Sequence, residues 1–186
     1  MIDIGRDARW GRVAEGAGED TYLTSRYAAA KVRGFQGDDI SKTDKIAACA
    51  KHFVAYGAAI GGRDYNSADM SLQTLWETYM PPFKSAVDAG VATFMTSFND
   101  INGDPCTTSE YLLKDVLRGE WNFNGTVISD SGAIGELLAH GSASERNEAA
   151  EQAINAGIDV DMSSMCYTEN LEESVKNGNI SEDVLN

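Results

Sequence analysis

The sequence is poor in the residues that bind metals or form disulfide frameworks. Its 186 residues include 3 cysteines and only 2 histidines. The odd number of cysteines excludes a framework in which every cysteine is paired, and none of the three has metal-ligand spacing to another. Two histidines are too few for a histidine-rich metal site. We therefore expect neither a metal nor another cofactor.

Basic residues and long apolar runs are also scarce. Lysine and arginine together number 15 against 29 acidic residues, which gives a net charge of −14. Such a surface repels phosphate backbones and anionic membranes. No run approaches the roughly 18 to 20 apolar residues that a membrane helix needs, and no secretory signal pattern is present. We expect a soluble chain that acts on a neutral or cationic small molecule rather than on nucleic acid or a membrane.

What the sequence does contain is a regular alternation of helical and strand-like stretches. The periodic spacing of apolar residues identifies these stretches, and glycines mark the C-terminal ends of several of the helices. In order, they are a helix over Asp20–Phe35, a strand over Ile46–Phe53, a helix over Ser71–Ala89 with a break near Met80, a strand over Val91–Phe98, a helix over Ser109–Trp121, a strand from Gly125 to Asp130, a helix over Ser144–Ala156, a strand over Ile158–Met162, and a helical tail from Glu169 broken at Asn177-Gly178. One unit takes about 30 residues, as in β/α repeats.

This alternation predicts an α/β fold with a parallel sheet covered by helices. An open doubly wound sheet loses support because no strand is followed by a Gly-x-Gly-x-x-Gly turn or a Walker-type loop. A closed (β/α)8 barrel takes about 250 residues, more than the chain has. The predicted fold is therefore a partial (β/α)8 TIM-type barrel with parallel strands, truncated at both ends.

The strand that stops at Asp130 supplies the leading candidate for a catalytic residue. A buried, β-branched run followed by a carboxylate and a glycine is typical of a parallel strand that presents one side chain at its C-terminal end. Barrel enzymes carry their chemistry at that end. An equally simple interpretation of Asp130 is a cap on the following helix.

Two basic clusters are further candidates for a binding site. Arg9 and Arg12 flank Trp10 and Gly11, which favours one stacked guanidinium and one directed at hydroxyls or a carboxylate. A structural arginine–glutamate network is an alternative, mainly for Arg9. Lys51 and His52 close a predicted strand. Lys51 could be a Schiff-base nucleophile, the pair could bind a polyhydroxylated ligand, or His52 could be a buried residue bonded to backbone.

Several motifs together resemble glycoside hydrolase family 3 in both order and spacing. The motifs are Asp3-Ile4-Gly5-Arg6-Asp7-Ala8-Arg9-Trp10-Gly11-Arg12, Glu15-Gly16-Ala17-Gly18-Glu19-Asp20, Lys51-His52-Phe53, Asn102-Gly103 and Ile128-Ser129-Asp130. Within the family, two stretches most resemble the bacterial periplasmic β-glucosidases. These are the run from Ala55 through Gly61-Gly62 to Asn66, and the run from Ser129 to Ile134.

The resemblance implies a retaining glycoside hydrolase that removes terminal β-D-glucosyl residues. Asp130 matches the family's nucleophile, which forms a covalent glycosyl-enzyme. Arg12, Lys51 and His52 match residues that hydrogen-bond the sugar, and Arg63 matches a further sugar-contacting arginine with one residue of uncertainty in spacing. The family also carries a cis peptide bond at its Lys-His pair.

The chain departs from the family pattern in places. Phe98 stands where many members have a tyrosine near the nucleophile, so a hydrogen bond from that phenol is lost. Lys51-His52-Phe53 does not continue into the loop of the hexosaminidase branch. The usual acid/base glutamate belongs to a second domain, and Glu136 is more simply explained as a solvated residue of the helix after Asp130.

The resemblance also sets expectations for the chain as a whole. Residues 1–186 are expected to be part of the family's N-terminal barrel domain, with the second domain absent, weak or no activity alone, and possible self-association. The expected substrate is an oligosaccharide or other glycoside, and the expected location is periplasmic or secreted. The alternatives are a non-catalytic carbohydrate-binding module and, less favoured, a Schiff-base aldolase that uses Lys51.

Overall fold

The computed structural model describes residues 1–185, and it is an α/β structure in which strands and helices alternate. The strands are β1 (Cys49–Phe53), β2 (Thr93–Thr96), β3 (Asp100–Ile101), β4 (Asp104–Pro105) and β5 (Thr126–Ile128). The α-helices are α1 (Thr21–Gln36), α2 (Leu72–Thr74), α3 (Met80–Asp88), α4 (Ala133–His140), α5 (Arg146–Ala156), α6 (Cys166–Lys176) and α7 (Glu182–Leu185). Wide-turn π-helices cover Leu75–Tyr79 and Tyr111–Glu120, and short 3-10 helices cover Val13–Glu15, Tyr56–Ala58 and Ile60–Gly62.

The main sheet is parallel and has the strand order β1-β2-β5. The three strands of this sheet therefore lie side by side in the order in which they occur in the chain, and β3 and β4 pair separately with each other. Extended segments continue this order on both sides: the Ile2 amide donates to the Lys51 carbonyl at 2.9 Å, and Ile128 pairs with Val160 in a parallel bridge. Neighbouring strands in chain order, joined by helices, are the winding of a β/α barrel rather than of a doubly wound sheet. The predicted fold class is confirmed.

Helices cover the sheet and bury a continuous apolar core. Asp20 begins α1 by accepting a hydrogen bond from the Leu23 amide, and α1 packs against α3. The core joins residues of the sheet, such as Phe53, Phe94 and Val127, to those of the helices. None of the helices within residues 1–185 is long and apolar enough to cross a membrane.

The helices follow the predicted pattern, with local differences. Pro81 and Pro82 occupy the first turn of α3, where their missing amides cost little, and the irregular segment Leu75–Tyr79 precedes them. The expected break near Met80 is thus a π-helical insertion. The helix predicted over Ser109–Trp121 has wide π turns, and the tail helix α6 ends at Lys176, before Asn177-Gly178, as predicted.

The strands are shorter than predicted. β1 begins at Cys49 rather than at Ile46, which is exposed. β2 covers only Thr93–Thr96 of the range predicted from Val91 to Phe98. The prediction of a strand over Ile158–Met162 is wrong for most of its length: among the described residues only Val160 forms a ladder bridge, and the carboxylate of Asp161 accepts from the Tyr167 amide at the start of α6.

Gln36, the last residue of α1, ties together the N-terminal ends of β1 and β2. Its buried side-chain oxygen accepts from the Ala48 amide at 3.1 Å and from the Ala92 amide at 2.9 Å, and its side-chain nitrogen donates to the Gly90 carbonyl at 2.8 Å. One glutamine thereby pairs three backbone groups that enter the sheet. This end of the sheet is opposite to the end at which Asp130 follows β5.

We predict that Gln36→Ala destabilises the fold by about 2–4 kcal/mol, because each buried backbone group left unpaired costs about 1–3 kcal/mol. Urea unfolding followed by circular dichroism measures this change. Gln73→Ala is the matched control, since Gln73 is exposed and its side chain donates to Glu77 on the surface, and it should cost about 0.5 kcal/mol or less. Equal effects of the two substitutions would contradict the role of Gln36.

Candidate active site

Asp130 lies directly beyond β5, at the C-terminal edge of the parallel sheet. Its side chain is nearly buried, with 11% of its surface exposed. Oδ1 accepts a hydrogen bond from the Ser131 amide at 2.7 Å. The helix that follows, α4, begins after Gly132 and receives no side-chain cap. The interpretation of Asp130 as a helix cap therefore does not describe its contacts.

The imidazole of His52 lies behind the carboxyl group of Asp130. His52 Nε2 is 3.2 Å from Asp130 Oδ2, but the two atoms are not aligned for a hydrogen bond and both are buried without another partner among the described residues. The other ring nitrogen, Nδ1, is 3.0 Å from Asp3 Oδ2, which also accepts from the His52 amide at 3.0 Å. Asp3, His52 and Asp130 thus form a buried row of carboxylate, imidazole and carboxylate.

The backbone at the end of β1 is irregular. The peptide bonds Lys51-His52 and Phe53-Val54 are both cis, so the cis bond that the resemblance implies at the Lys-His pair is present. The ladder between β1 and β2 shifts register between Ala50 and Phe53. Lys51 is half-buried, and within residues 1–185 its ammonium group forms no ion pair or hydrogen bond.

Arg12 is held by two neighbours. Its guanidinium donates to both carboxylate oxygens of Glu15, at 2.7 and 3.0 Å, and lies 5.5 Å from the centre of the Tyr56 ring. The bond to Glu15 raises the pKa of Arg12, and the same bond, helped by smaller charge effects that include Lys51, lowers the pKa of Glu15. Arg9, in contrast, is exposed and pairs with Asp7 on the surface.

Aromatic side chains pack between these polar groups. Trp10, Tyr56, Phe98 and Ala133 form a small cluster of their own, separate from the main core. The Trp10 indole donates to Asp64 at 2.7 Å. Burial and the nearby Asp64 carboxylate raise the pKa of Tyr56. The centre of the Tyr65 ring lies 4.5 Å from the centre of the Phe98 ring. Tyr65 therefore packs against Phe98, the residue at which many members of the similar family have a tyrosine.

A cavity of about 610 Å³ opens beside this cluster. Its lining residues include Tyr65, Asp100, Glu136 and His140. Burial raises the pKa of Glu136. His140 opposes this shift, and the charge of Asp130 adds to it more weakly. Glu136 belongs to α4, as predicted, but it is half-buried rather than fully solvated.

The structure brings some of the predicted site residues together and leaves one apart. Asp130 and His52 are in contact, and the Tyr56 ring packs against both the His52 ring, at 5.1 Å, and the Arg12 guanidinium, at 5.5 Å. Lys51 is the chain neighbour of His52. Arg63 is exposed, and in the described part of the chain no hydrogen bond or ion pair connects it to the others. Its neighbours in sequence, Asp64 and Tyr65, do reach the aromatic cluster.

Sequence reasoning assigned no role to Asp3, Asp64 or Tyr65. Asp3 left a signal, because a carboxylate between Ile2 and Ile4 interrupts an apolar run. The contacts of Asp64 and Tyr65 follow from two loops meeting in space, which no local pattern reports. Among residues 1–185, no group of three or more His, Cys, Asp or Glu side chains is arranged to hold a metal ion.

A parallel β/α winding with polar side chains gathered at the C-terminal strand ends is the architecture of barrel enzymes. The family model described as the glycosyl hydrolase family 3 N terminal domain matches residues 1–186. The chain therefore belongs to glycoside hydrolase family 3.

Named relatives support this assignment at the level of individual proteins. The chain is 46% identical to a periplasmic beta-glucosidase of Salmonella typhimurium over 97% of its own length and 24% of the relative's. It is 39% identical to a xylan 1,4-beta-xylosidase of Xylanibacter ruminicola, over 97% of its length and 21% of the relative's. Both glucosidases and xylosidases are thus among its relatives.

Solved structures agree with the fold. A beta-glucosidase from Listeria innocua in complex with isofagomine matches with a TM-score of 0.97 and 44% identity, over 100% of this chain and 26% of the other. The chain spans about a quarter of the length of these relatives.

We predict that Asp130→Asn lowers the pKa of Glu136, because removing a nearby negative charge makes ionisation of the glutamate easier. Titration of glutamate carboxyl carbons by NMR measures the change. Asp88→Asn, which alters an exposed charge at the end of α3, should leave the pKa of Glu136 unchanged. An unaltered pKa of Glu136 in Asp130→Asn would place the two carboxyls too far apart to interact.

Proposed function

We propose that this domain serves a retaining glycoside hydrolase that removes terminal β-D-glucosyl residues through a covalent glycosyl-enzyme on Asp130. The observation that carries the proposal is the environment of Asp130: a nearly buried carboxylate at a parallel strand end, with one oxygen fixed by the Ser131 amide and the other facing His52. A carboxylate held in one orientation is what attack on a sugar carbon requires.

The chemistry of a retaining glycosidase requires two carboxyl groups with opposite protonation. One is an ionised nucleophile, and the other is an acid that protonates the leaving oxygen and later activates water. Asp130 takes the first role in our proposal. We assign the second role to no residue of this chain and expect it to come from a second domain, so the domain alone should act only on substrates with good leaving groups.

The cationic residues of the site take the role of sugar binding. Arg12 is clamped by Glu15, so it can donate its remaining guanidinium hydrogens to hydroxyls without losing its orientation. Lys51 carries three donors and has no competing partner among the described residues. Arg63 is proposed as a contact at the exposed rim. His52 is buried, and we assign its Nε2 to Asp130 rather than directly to a sugar hydroxyl.

The named relatives favour a glucosyl over a xylosyl substrate. The Salmonella glucosidase is 46% identical and the Xylanibacter xylosidase 39% identical over the same share of this chain. The Listeria glucosidase bound to isofagomine has nearly the same backbone, with a TM-score of 0.97. We propose a neutral glycoside as the substrate, no nucleic acid or membrane partner, and a periplasmic or secreted location by analogy with the Salmonella protein.

We predict that a 2-fluoro β-glucoside with an activated leaving group forms a stable adduct on the Asp130 peptide. Such a leaving group needs no acid catalyst, so the reaction tests the nucleophile alone. Intact-mass analysis and peptide mapping detect the adduct, and the corresponding 2-fluoro xyloside compares the two sugar classes. Faster labelling by the xyloside would reverse our choice of sugar.

Asp130→Asn is the control for this experiment and should form no adduct. Circular dichroism must show that both proteins are folded. An adduct on another residue would refute the assignment of Asp130. Sugar binding without any adduct, in this chain and in a longer protein that contains it, would favour a non-catalytic carbohydrate-binding module. Trapping of a carbonyl compound on Lys51 by borohydride would favour the aldolase alternative.

We predict that Arg12→Ala weakens isofagomine binding by about tenfold or more, because a hydrogen bond to a charged group is worth about 1.5–3 kcal/mol. Isothermal titration calorimetry measures the affinity. Arg9→Ala is the matched control, since Arg9 lies in the same motif but pairs with Asp7 at the surface. Equal affinities of the two variants would remove Arg12 from the proposed sugar site.

A further inference from the structure

Asp3 is a carboxylate in the interior of the protein. It lies between the buried residues Ile2 and Ile4, and only 2% of its surface is exposed. A buried carboxylate is costly unless hydrogen bonds or an opposite charge compensate it. Within residues 1–185, the side-chain hydrogen bonds of Asp3 all go to His52, and its other oxygen, Oδ1, is buried without a partner.

The contact between Asp3 and His52 has two points of attachment. Asp3 Oδ2 accepts from the backbone amide of His52 and lies at the same distance, 3.0 Å, from ring atom Nδ1. An amide contact fixes where the residue sits, and a ring contact fixes how the imidazole is turned. An ionised carboxylate can only accept hydrogen bonds, so Nδ1 must carry a proton.

This arrangement determines what faces Asp130. With Nδ1 turned toward Asp3, Nε2 points to the opposite side and lies 3.2 Å from Asp130 Oδ2. Within residues 1–185 neither of these two buried atoms has a hydrogen-bond partner. In the described part of the chain, no hydrogen bond or ion pair joins Asp3 to Asp130, and the side chain of Asp3 is buried.

A purely structural role for Asp3 would be to hold its own segment against β1. That segment is already attached without the carboxylate, because the Ile2 amide donates to the Lys51 carbonyl and the Arg6 amide donates to the Gly57 carbonyl. The side chain of Asp3 therefore adds orientation of the His52 ring to an attachment that the backbone provides.

We infer that Asp3 is a positioning residue that fixes the ring of His52, with the proton on Nδ1 and with Nε2 directed at the carboxyl group of Asp130. The inference rests on the proposed function for its consequence in catalysis, since Asp130 is the nucleophile of that proposal. Asp3 acts through His52 alone, as the carboxylate of a carboxylate–histidine pair does in other enzymes.

The chain offers a direct measurement because it has only two histidines. His140 is the internal control: its Nε2 lies 3.0 Å from the Phe98 carbonyl oxygen, which can only accept, so the proton of His140 belongs on Nε2. Long-range proton–nitrogen NMR spectra of a chain with 15N-labelled histidine should show a protonated Nδ1 in His52 and a protonated Nε2 in His140. An unprotonated Nδ1 in His52 would overturn the inference without any variant.

The variant Asp3→Ala then tests the effect of the carboxylate. The ring signals of His52 should shift while those of His140 stay in place. Labelling of Asp130 by the 2-fluoro glucoside should slow by about tenfold or more, a loss no greater than those caused by removing carboxylates behind metal-binding or catalytic histidines. In a His52→Ala background, Asp3→Ala should cause no further loss, because Asp3 acts only through the ring.

Asp159→Ala is the matched control. Asp159 also accepts from a backbone amide, that of Val127, and from a cation, Arg118, and in the described structure no hydrogen bond or ion pair joins it to His52 or Asp130. It should destabilise the fold and leave labelling unchanged. Equal labelling by Asp3→Ala and the unmodified chain, or additive losses in the double variant, would overturn the inference. Absence of labelling in the unmodified chain would instead count against the proposed function, and the NMR result would still decide the role of Asp3.

Discussion

The parallel pairing of β1, β2 and β5 is the constraint on which the site depends. Strands that run in the same direction end at the same edge, so residues that follow β1 and β5 meet although 78 positions separate His52 from Asp130 (130 − 52). β2 lies between these strands, and two strand spacings amount to about 9.6 Å. The side chains of His52 and Asp130 bring their ends to within 3.2 Å across that gap. The small residues Thr96 and Ser97, which end β2 and follow it, are buried.

The two ends of the sheet use buried polar groups for different purposes. At the N-terminal end, Gln36 pairs backbone groups and leaves none of its own side-chain atoms without a partner. At the C-terminal end, His52 Nε2, Asp130 Oδ2 and Thr96 Oγ1 are buried without an aligned hydrogen bond. Buried polar atoms without hydrogen bonds reduce the stability of the fold. Proteins tolerate them mainly at functional sites, so the presence of these atoms at the C-terminal end of the sheet is consistent with an active site there.

The sequence predicted the elements well where a single periodic pattern determines them. The helices α1, α5 and α6 form where apolar spacing and capping residues indicate, and Gly157 ends α5 as expected. The strand over Ile158–Met162 failed because pairing depends on a partner, and beyond Val160 the carboxylate of Asp161 bonds instead to the start of α6.

The site was only partly predictable for the same reason. Strand-end patterns and the family motifs pointed to Asp130, Lys51 and His52, and the contact between Asp130 and His52 is present. No pattern in the sequence could show that Asp3 turns the His52 ring or that Tyr65 packs on Phe98. These contacts join segments that are distant in the chain, and side-chain packing across such segments is invisible to local periodicity.

The carboxyl group of Asp130 has two unlike oxygens. Oδ2 is buried and faces the imidazole, whereas Oδ1 accepts a hydrogen bond from the Ser131 amide. In the proposed reaction, a sugar carbon that approaches the oxygen turned away from the imidazole would make Oδ1 the bridging atom of an ester. Oδ2 would then become the ester carbonyl oxygen. The imidazole of His52 would then face a neutral carbonyl oxygen instead of a carboxylate.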